Sequence, residues 1–539
     1  MTGLFAFLPL IAVLGLMAAV AAARGDGGRR PQRAMAAARY ASLGALGVAA
    51  ASAAAVAVFG ATTSPLVGVA GIGLSFRLDA LSGVMILVIS FVGAIVVQFS
   101  RNYLDGEARQ GEFFGGLCAT LAAALLLVSA GNLGQLVASW IAMSLALHQL
   151  LTWREDRPRA LAAAFKKGVF ARIGDLALMG AASALIAAFG TADIATLTQA
   201  ARAAGEAGDV PAGAGLAAGF IALAALLKSA QFPAHGWLPE VVGTPTPVSA
   251  LLHAGVVNAG GFLAVRFADV LVLSPGALVL LAAVGGFTAI FGAAVMLTQP
   301  TAKGALAWST ISQMGFMMLQ CGLGAFSLAV LHIAAHSLYK AYAFLSAGEA
   351  AQAAASGRAL GKAPTPAARD LAIGLVAAVA LYVLGGVAFG LARFDAPQSM
   401  ALGAIMAIGL GHLIVQGLGD DRAALKEAVA LAAAVAFGYA ALQAGAAALM
   451  AGAVPPDVPA TPLKLALIAL AVVSFAVAAL AQAGALLPAS DPRARALRVH
   501  VANGLYVDAW MERTFAPLRR RGAGAGDPYA STSKPPRAA

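Results

Sequence analysis

Apolar runs of about 18 to 25 residues recur along the whole chain, separated mostly by short polar loops. Each run is long enough to cross the hydrocarbon core of a bilayer as a helix. A spanning β-barrel would instead alternate apolar and polar positions in segments of about ten residues, and the sequence has no such alternation. The pattern predicts an all-α polytopic membrane protein with about fourteen transmembrane helices. The predicted segments are 2–22, 38–60, 79–98, 113–131, 134–152, 165–190, 214–268 (broken), 277–298, 301–323, 325–347, 368–392, 397–419, 425–450 and 463–487.

The composition supports a membrane protein. Of the 539 residues, 60% are hydrophobic and 11% are charged, whereas soluble domains carry about a quarter charged residues. The net charge of +11 does not indicate nucleic acid as a partner, because the basic residues cluster in short loops and near the C-terminus, as on the cytoplasmic side of membrane proteins. The two cysteines lie in apolar runs and form no metal-binding or disulfide pattern.

The basic loops predict an orientation but leave one conflict. The arginine-rich loop 24–39 is expected in the cytoplasm, which places the N-terminus outside, and the loops 101–109 and 154–167 then also lie inside. Fourteen crossings would put the basic C-terminal tail outside, so either one helix is miscounted or the tail violates the rule. The stretch HVANGLYVDAWMERTF (500–515) is predicted to be an interfacial helix or a docking segment, followed by a disordered tail over 522–539.

The stretch KSAQFPAHGWLPEVVGTPTPVSALLHAG (228–255) interrupts the seventh segment. It begins with Lys228 and contains four prolines, Pro233, Pro239, Pro245 and Pro247. Proline removes a backbone donor and kinks a helix, and broken helices recur at ion sites in transporters. The pattern favours a break that opens to a water-lined path. The alternative is a plain kinked helix whose lysine is satisfied by a neighbouring Asp.

Ionisable residues occur within apolar segments at several positions. A charge at the bilayer centre costs roughly 2.5 to 3.5 kcal/mol on insertion scales, so such residues are candidates for an ion pathway. The candidates are Lys228, Asp175, His253, Lys303, His332, His336, Lys340, His412 and His148.

These candidates also have structural interpretations. His148 and His412 can be hydrogen-bonded structural residues, Arg172 and Asp175 a local ion pair, and Lys303 a snorkelling side chain. The row from His332 to Lys340 is harder to explain structurally, because its three members follow at steps of four on one helical face.

The broken segment resembles the corresponding motif of the antiporter-like subunits of respiratory complex I and of Mrp cation/proton antiporters. The resemblance continues through AKGALAWSTISQMGFMMLQCGLG and AVLHIAAHSLYKAYAFLSAG and covers about residues 77–350. It implies fourteen core helices with two inverted five-helix repeats, each with a broken helix, and a polar axis that conducts protons. In that scheme Lys228 is the central lysine, and the axis continues through His253, Lys303 and the row on the tenth segment.

The resemblance also implies a domain division. N-terminal helices 1–3 occupy 1–112, the first antiporter-like repeat 113–298 and the second 299–450. A C-terminal helix with the docking segment occupies 451–521, before the tail.

Two departures from the family pattern change the expected chemistry. The glutamate that partners the broken-helix lysine is replaced by Ile141, so Asp175 on the next helix is the predicted partner of Lys228. The twelfth segment has no lysine or glutamate, and His412 is its one ionisable group.

These departures resemble one branch, the membrane subunit of DAB-type inorganic carbon accumulation complexes. That branch implies a large soluble partner with a β-carbonic-anhydrase-like zinc site, no cofactor in this chain, and coupling to protons or sodium ions across the bacterial inner membrane. Two alternatives remain: a subunit of complex I or of an Mrp antiporter, and a non-conducting scaffold that anchors a soluble enzyme.

Overall fold

The computed structural model describes residues 2–24, 26, 31–154, 158–349, 367–391, 396–418, 422–455, 461–482 and 491–522 as a bundle of helices. Thirteen helical spans in these residues are long and apolar enough to cross a membrane. This architecture confirms the predicted all-α polytopic class. The helices are α1 (Leu8–Arg24), α2 (Gln32–Phe59), α3 (Ala80–Tyr103), α4 (Gln110–Val128), α5 (Leu133–Leu151), α6 (Pro158–Phe189), α7 (Ile194–Ala207), α8 (Ala214–Lys228), α9 (Trp237–Glu240), α10 (Thr246–Ala254), α11 (Ala259–Arg266), α12 (Ala268–Leu271), α13 (Pro275–Met296), α14 (Ala302–Gly322), α15 (Phe326–Leu345), α16 (Ala368–Ala388), α17 (Pro397–Leu418), α18 (Arg422–Met450), α19 (Pro462–Gln482), α20 (Pro492–Ala502) and α21 (Val507–Gly522).

The predicted broken segment 214–268 is two crossings rather than one. The half-helix α8 ends at Lys228, and the short α9 follows the turn; α10 and α11 then form a full span over Thr246–Arg266. Pro245 directly precedes α10 and Pro247 lies in its first turn. Proline at a helix start sacrifices no backbone hydrogen bond. These two prolines therefore begin a helix and do not break one, whereas Pro233 and Pro239 do lie within the break.

Dividing that segment resolves the orientation conflict. The half-helix α8 packs against α6, and α14 packs along α13, so these two helices join the thirteen spans and make fifteen crossings in the described part of the chain. An odd number of crossings returns the C-terminal helices to the side of the arginine-rich loop 24–39. An ion-pair cluster is consistent with this orientation. Lys166, near the start of α6, forms ion pairs with Asp508 and Glu512 of α21.

The opposite side of the bundle is closed by short strands and buried ion pairs. The strands β1 (Thr62–Thr63) and β4 (Arg77–Leu78) pair with each other, as do β2 (Val67–Val69) and β3 (Ile72–Leu74). They were not predicted, because two or three residues are too few to show alternation.

Asp79 connects two helices on this side. Its side chain caps α3 and accepts hydrogen bonds from both terminal nitrogens of Arg266 on α11. Burial acts to raise the pKa of the Asp79 carboxyl, but Arg266 and Arg77 beside it hold that pKa well below its usual range. Buried charges are stable when paired in this way, and the pair fixes the outer end of the span that follows the break.

The resemblance implies a broken helix in the second repeat as well, but the twelfth predicted segment is unbroken in the described residues. Helix α17 is continuous from Pro397 to Leu418, and its one proline stands at the first position, where it starts a helix. The predicted disordered tail lies, apart from Gly522, outside the described residues.

The odd number of crossings predicts opposite sides for the two ends of the chain. A green fluorescent protein fused after residue 522 should fluoresce, because it folds in the cytoplasm, and alkaline phosphatase fused there should be inactive. As a control, a fusion of alkaline phosphatase after Gly71, between β2 and β3, should be active. Phosphatase activity at position 522 would contradict the fifteen crossings.

Candidate functional site

Lys228 lies at the end of the half-helix with two neutral partners from α5. Its ammonium donates a hydrogen bond to Ser144 Oγ at 2.9 Å and stands 4.3 Å from the centre of the Trp140 ring. An indole face attracts a cation through its quadrupole. Trp140 and Ser144 are one turn apart on α5 and present one face to the lysine.

Residue 141, where the resemblance implies a glutamate, makes an apolar contact instead. Ile141 is partly buried and packs against the hydrophobic core. The lysine therefore meets a hydroxyl and a ring at a place where the resemblance implies a carboxylate.

Asp175, the predicted partner of Lys228, interacts with it through space and not by direct contact. Its carboxylate pairs with Arg172 Nη2 at 2.7 Å, one turn earlier on α6. In the described residues no ion pair within 4 Å joins Asp175 to Lys228, although Lys228 and Lys167 lie within its electrostatic range. The ammonium of Lys228 instead donates its hydrogen bond to Ser144 of α5. A role for Asp175 in the pathway stays a prediction.

The sequence analysis missed Lys167, which the structure brings into the site. Its side chain is buried, and its amino group donates to the Ser144 carbonyl oxygen at 2.7 Å. It was counted in the basic loop 154–167, although the predicted segment 165–190 also contains it. In the structure α6 begins at Pro158, so Lys167 lies inside the helix.

The turn inside the break is filled by aromatic rings. The His235 ring packs against Phe232 (ring centres 5.7 Å apart), Phe291 (5.3 Å) and Trp308 (5.3 Å). His235 is 1% exposed and holds the turn in place by packing.

Three of the predicted pathway residues meet between α10 and α15. His336 Nε2 approaches the His253 carbonyl oxygen at 3.2 Å, and the His253 ring stacks on Phe344 with centres 4.4 Å apart. Both ring nitrogens of His253 are buried, without a hydrogen-bond partner in the described part of the protein. Lys340 is fully buried and donates to the Leu306 carbonyl at 3.0 Å.

The other two predicted residues of this region, His332 and Lys303, lie at the two ends of the group formed by His253, His336 and Lys340. His332 Nδ1 is 3.0 Å from Gln320 Oε1, and its ring centre is 5.9 Å from that of His336. Lys303 is in the first turn of α14 and donates to Thr246 Oγ1 at 2.7 Å. Each of the two lysines therefore has a hydrogen-bond acceptor: the Leu306 carbonyl for Lys340 and the Thr246 hydroxyl for Lys303.

The remaining two histidines are placed differently. His148 is half-buried one turn after Ser144 on α5, and its Nδ1 has no partner in the described residues. His412 is partly buried in α17, and no hydrogen bond or ring contact joins it to Lys340 within the described chain. His148 lies within electrostatic range of Lys167, and the roles of both histidines stay predictions.

The C-terminal helix α21 docks on the same region through Lys166 near the start of α6. Lys166 Nζ is 2.6 Å from Glu240 Oε1, 3.5 Å from Asp508 Oδ1 and 3.4 Å from Glu512 Oε2. Burial raises the pKa of the Glu240 carboxyl to about 7, and repulsion from Asp508 adds to this while Lys166 opposes it. Three carboxyl groups therefore compete for one buried ammonium at the rim of the break.

Comparison with known proteins identifies similar chains. A family described as the transmembrane part of NADH:quinone oxidoreductase and Mrp antiporters matches residues 130–418, and the N-terminus of chain 5 of complex I matches residues 67–114. A probable inorganic carbon transporter subunit DabB2 of Halothiobacillus neapolitanus is 43% identical over 291 residues, 54% of this chain and 52% of the relative. The probable subunit DabB of Hydrogenovibrio crunogenus is 41% identical over 297 residues, 54% of this chain and 55% of the relative.

More distant similarities point to the respiratory and antiporter subunits. NADH-quinone oxidoreductase subunit L of Mycobacterium tuberculosis is 37% identical over 51% of this chain and 43% of its own length. The structure of an Mrp complex from Dietzia superposes with a TM-score of 0.65 at 25% identity, covering 96% of this chain and 60% of that one. The chain spans about half the length of the relatives it matches.

The carboxyl cluster predicts how docking of α21 depends on pH. Burial and the neighbouring Asp508 of α21 raise the Glu240 pKa to about 7, so the docked state binds this proton more tightly than the undocked state, in which the repulsion from Asp508 is absent. Docking then weakens as the pH rises through the range up to about 7, by at most about tenfold per pH unit for one proton. A spin label at T514C should become more mobile over this window, and the native cysteines are buried.

The control for this experiment is Glu240→Gln. The amide keeps the shape of the side chain but cannot titrate, so the change in mobility within that window should disappear. An unchanged pH response in this variant would show that Glu240 does not control docking.

Proposed function

Because the chain belongs to the NADH:quinone oxidoreductase/Mrp antiporter family of membrane proteins, we propose that it is the ion-coupling membrane subunit of an inorganic carbon uptake complex. The coupling ion is a proton, with sodium as the alternative. The relatives named as probable inorganic carbon transporter subunits share 41% to 43% identity with it over half of the chain. They support this branch of the family over the respiratory one.

The observation that carries the proposal is the environment of Lys228. A lysine at membrane depth, at the end of a half-helix, donates its hydrogen bond to the Ser144 hydroxyl rather than to a carboxylate. A neutral partner does not stabilise the ammonium by an opposite charge. The Lys228 amino group can therefore take up and release a proton when its surroundings change. From there the path runs to His253, His336 and Lys340.

The chain supplies the ion path, and the carbon chemistry belongs to a partner. The partner is a large soluble β-carbonic-anhydrase-like (DabA-like) subunit that holds the zinc, bound at the cytoplasmic face of the inner membrane. In this scheme the ion gradient drives CO2 hydration or bicarbonate accumulation, and this chain itself carries no cofactor.

A second candidate function is a proton-translocating subunit of complex I or of an Mrp antiporter. The 37% identity to a subunit L and the superposition on an Mrp complex favour it. Ile141 in the place of the glutamate disfavours it. Copurification with several other membrane subunits, instead of one large soluble protein, would support this second candidate.

Lys228→Ala tests the proposed function in cells that lack carbonic anhydrase and need high CO2. Coexpression of this chain with the product of its neighbouring gene should permit growth in air, and a protonophore should abolish that growth. Lys228→Ala should also abolish it, because the proton carrier is lost at the break. Lys426→Ala, which removes an exposed lysine of α18, is the matched control and should grow like the wild type.

Two results would contradict this proposal. Full growth of Lys228→Ala would favour a non-conducting scaffold. No growth in air of the wild-type pair would argue against inorganic carbon uptake.

A further inference from the structure

Two lysines, from α6 and α8, meet at one serine of α5. Lys228 bonds the Ser144 hydroxyl at 2.9 Å, and Lys167 bonds the Ser144 carbonyl at 2.7 Å. Two ammonium groups held this close in a protein interior repel each other strongly, because the surroundings screen their charges poorly. A site that holds one ammonium and one neutral amine avoids this repulsion, so a proton is readily exchanged between the two lysines.

A small cavity lies where the two lysines converge. Its volume is about 20 Å³, and its lining includes Ser144, Lys167, Lys228 and Trp237. About 10 to 15 Å³ suffices for one water molecule, provided that two to four polar groups surround it. The cavity therefore has the room and the polar lining for one water.

An unpaired donor independently indicates a water at this place. Trp237 is 4% exposed, and its indole Nε1 is buried without a hydrogen-bond partner in the described residues. A buried N–H left unpaired costs roughly 1 to 3 kcal/mol, and a water in the adjoining cavity would remove that cost. The Ser144 hydroxyl accepts from Lys228, and no described group accepts its own hydrogen.

We propose that Lys167 is the immediate proton-exchange partner of Lys228, through one water held by Ser144 and Trp237. This inference rests on the proposed proton path. In one step the Lys167 ammonium gives a proton to the water while the water gives one of its own to the Lys228 amine. One N–H bond breaks at Lys167 and one forms at Lys228, so the water is regenerated and no other reactant is needed.

The charged and titratable groups around this pair bias the exchange. Arg172 and Asp175 face it from α6, and His148 faces it from α5. Asp175 is paired with Arg172 at 2.7 Å, so it acts on the lysines through space. Lys167 thus fills the role that the sequence analysis gave to Asp175, with an amine in place of a carboxylate.

Lys167→Arg separates proton exchange from structure. Arginine keeps the positive charge and can donate to the Ser144 carbonyl, but it does not release its proton in proteins. The complex is purified through the full chain and reconstituted in liposomes with a trapped pH-sensitive dye, and a K⁺ diffusion potential drives proton entry. Assembly and melting temperature should stay like the wild type, while flux should fall at least about tenfold.

A pair of serines on α5 provides a matched test of the relay. Ser144→Ala removes the hydroxyl that holds both Lys228 and the water, and it should lower flux at least about fivefold. Ser139→Ala is the control, because that hydroxyl donates to carbonyls of its own helix and the variant should keep wild-type flux.

The possible failures can be told apart. Wild-type flux in Lys167→Arg would overturn this inference, because it would show that Lys167 only ties α6 to α5. If Lys228→Ala nevertheless abolished flux in the same assay, the proposed function would stand although this inference had failed. Absence of any flux in the wild type would instead overturn the proton path itself.

Discussion

The arrangement of this protein depends on the need to stabilise an amino group at membrane depth without a carboxylate. An ammonium in a bilayer-spanning bundle requires hydrogen-bond acceptors and a favourable field. For Lys228 these are the Ser144 hydroxyl and the Trp140 ring. Both groups are neutral, so their hold on the proton is weaker than that of an aspartate or a glutamate. Stability of the fold and release of the proton are both possible at such a site.

The same use of neutral acceptors recurs at the other intramembrane lysines. Lys340 donates to a backbone carbonyl, and Lys303 donates to a threonine hydroxyl. Full charge pairs lie at the two ends of the bundle, with Asp79 and Arg266 on one side and Lys166 and Glu240 on the other, and a further pair, Arg172 with Asp175, lies on α6 within electrostatic range of Lys228. Ion pairs therefore fix the ends of the bundle, while Lys228, Lys303 and Lys340 are held by hydrogen bonds that allow titration.

The sequence predicted the elements that depend on long patterns. Runs of about 20 apolar residues define the spans, and steps of four place His332, His336 and Lys340 on one face of α15. What it missed depends on short or three-dimensional features. The division of segment 214–268 follows from two prolines that begin α10, and sequence alone does not distinguish a proline that starts a helix from one that kinks it.

The partner of Lys228 was also beyond the sequence. Counting residues places Asp175 on the helix before Lys228, but it does not show that the Lys228 side chain turns toward α5. Lys167 was overlooked because a lysine beside a charged loop usually lies in water. Only the packing of α6 against α5 and α8 reveals that its amino group is buried.

The break and the C-terminal helix are mechanically connected, which follows from one glycine. A Cβ atom at position 236 would lie 1.8 Å from Asp508 Oδ1, so any other residue there would require the Asp508 carboxylate of α21 to shift. Trp237, which lines the cavity beside Lys228, is the next residue. A displacement of α21 therefore acts on the backbone directly before the ring that borders the lysines.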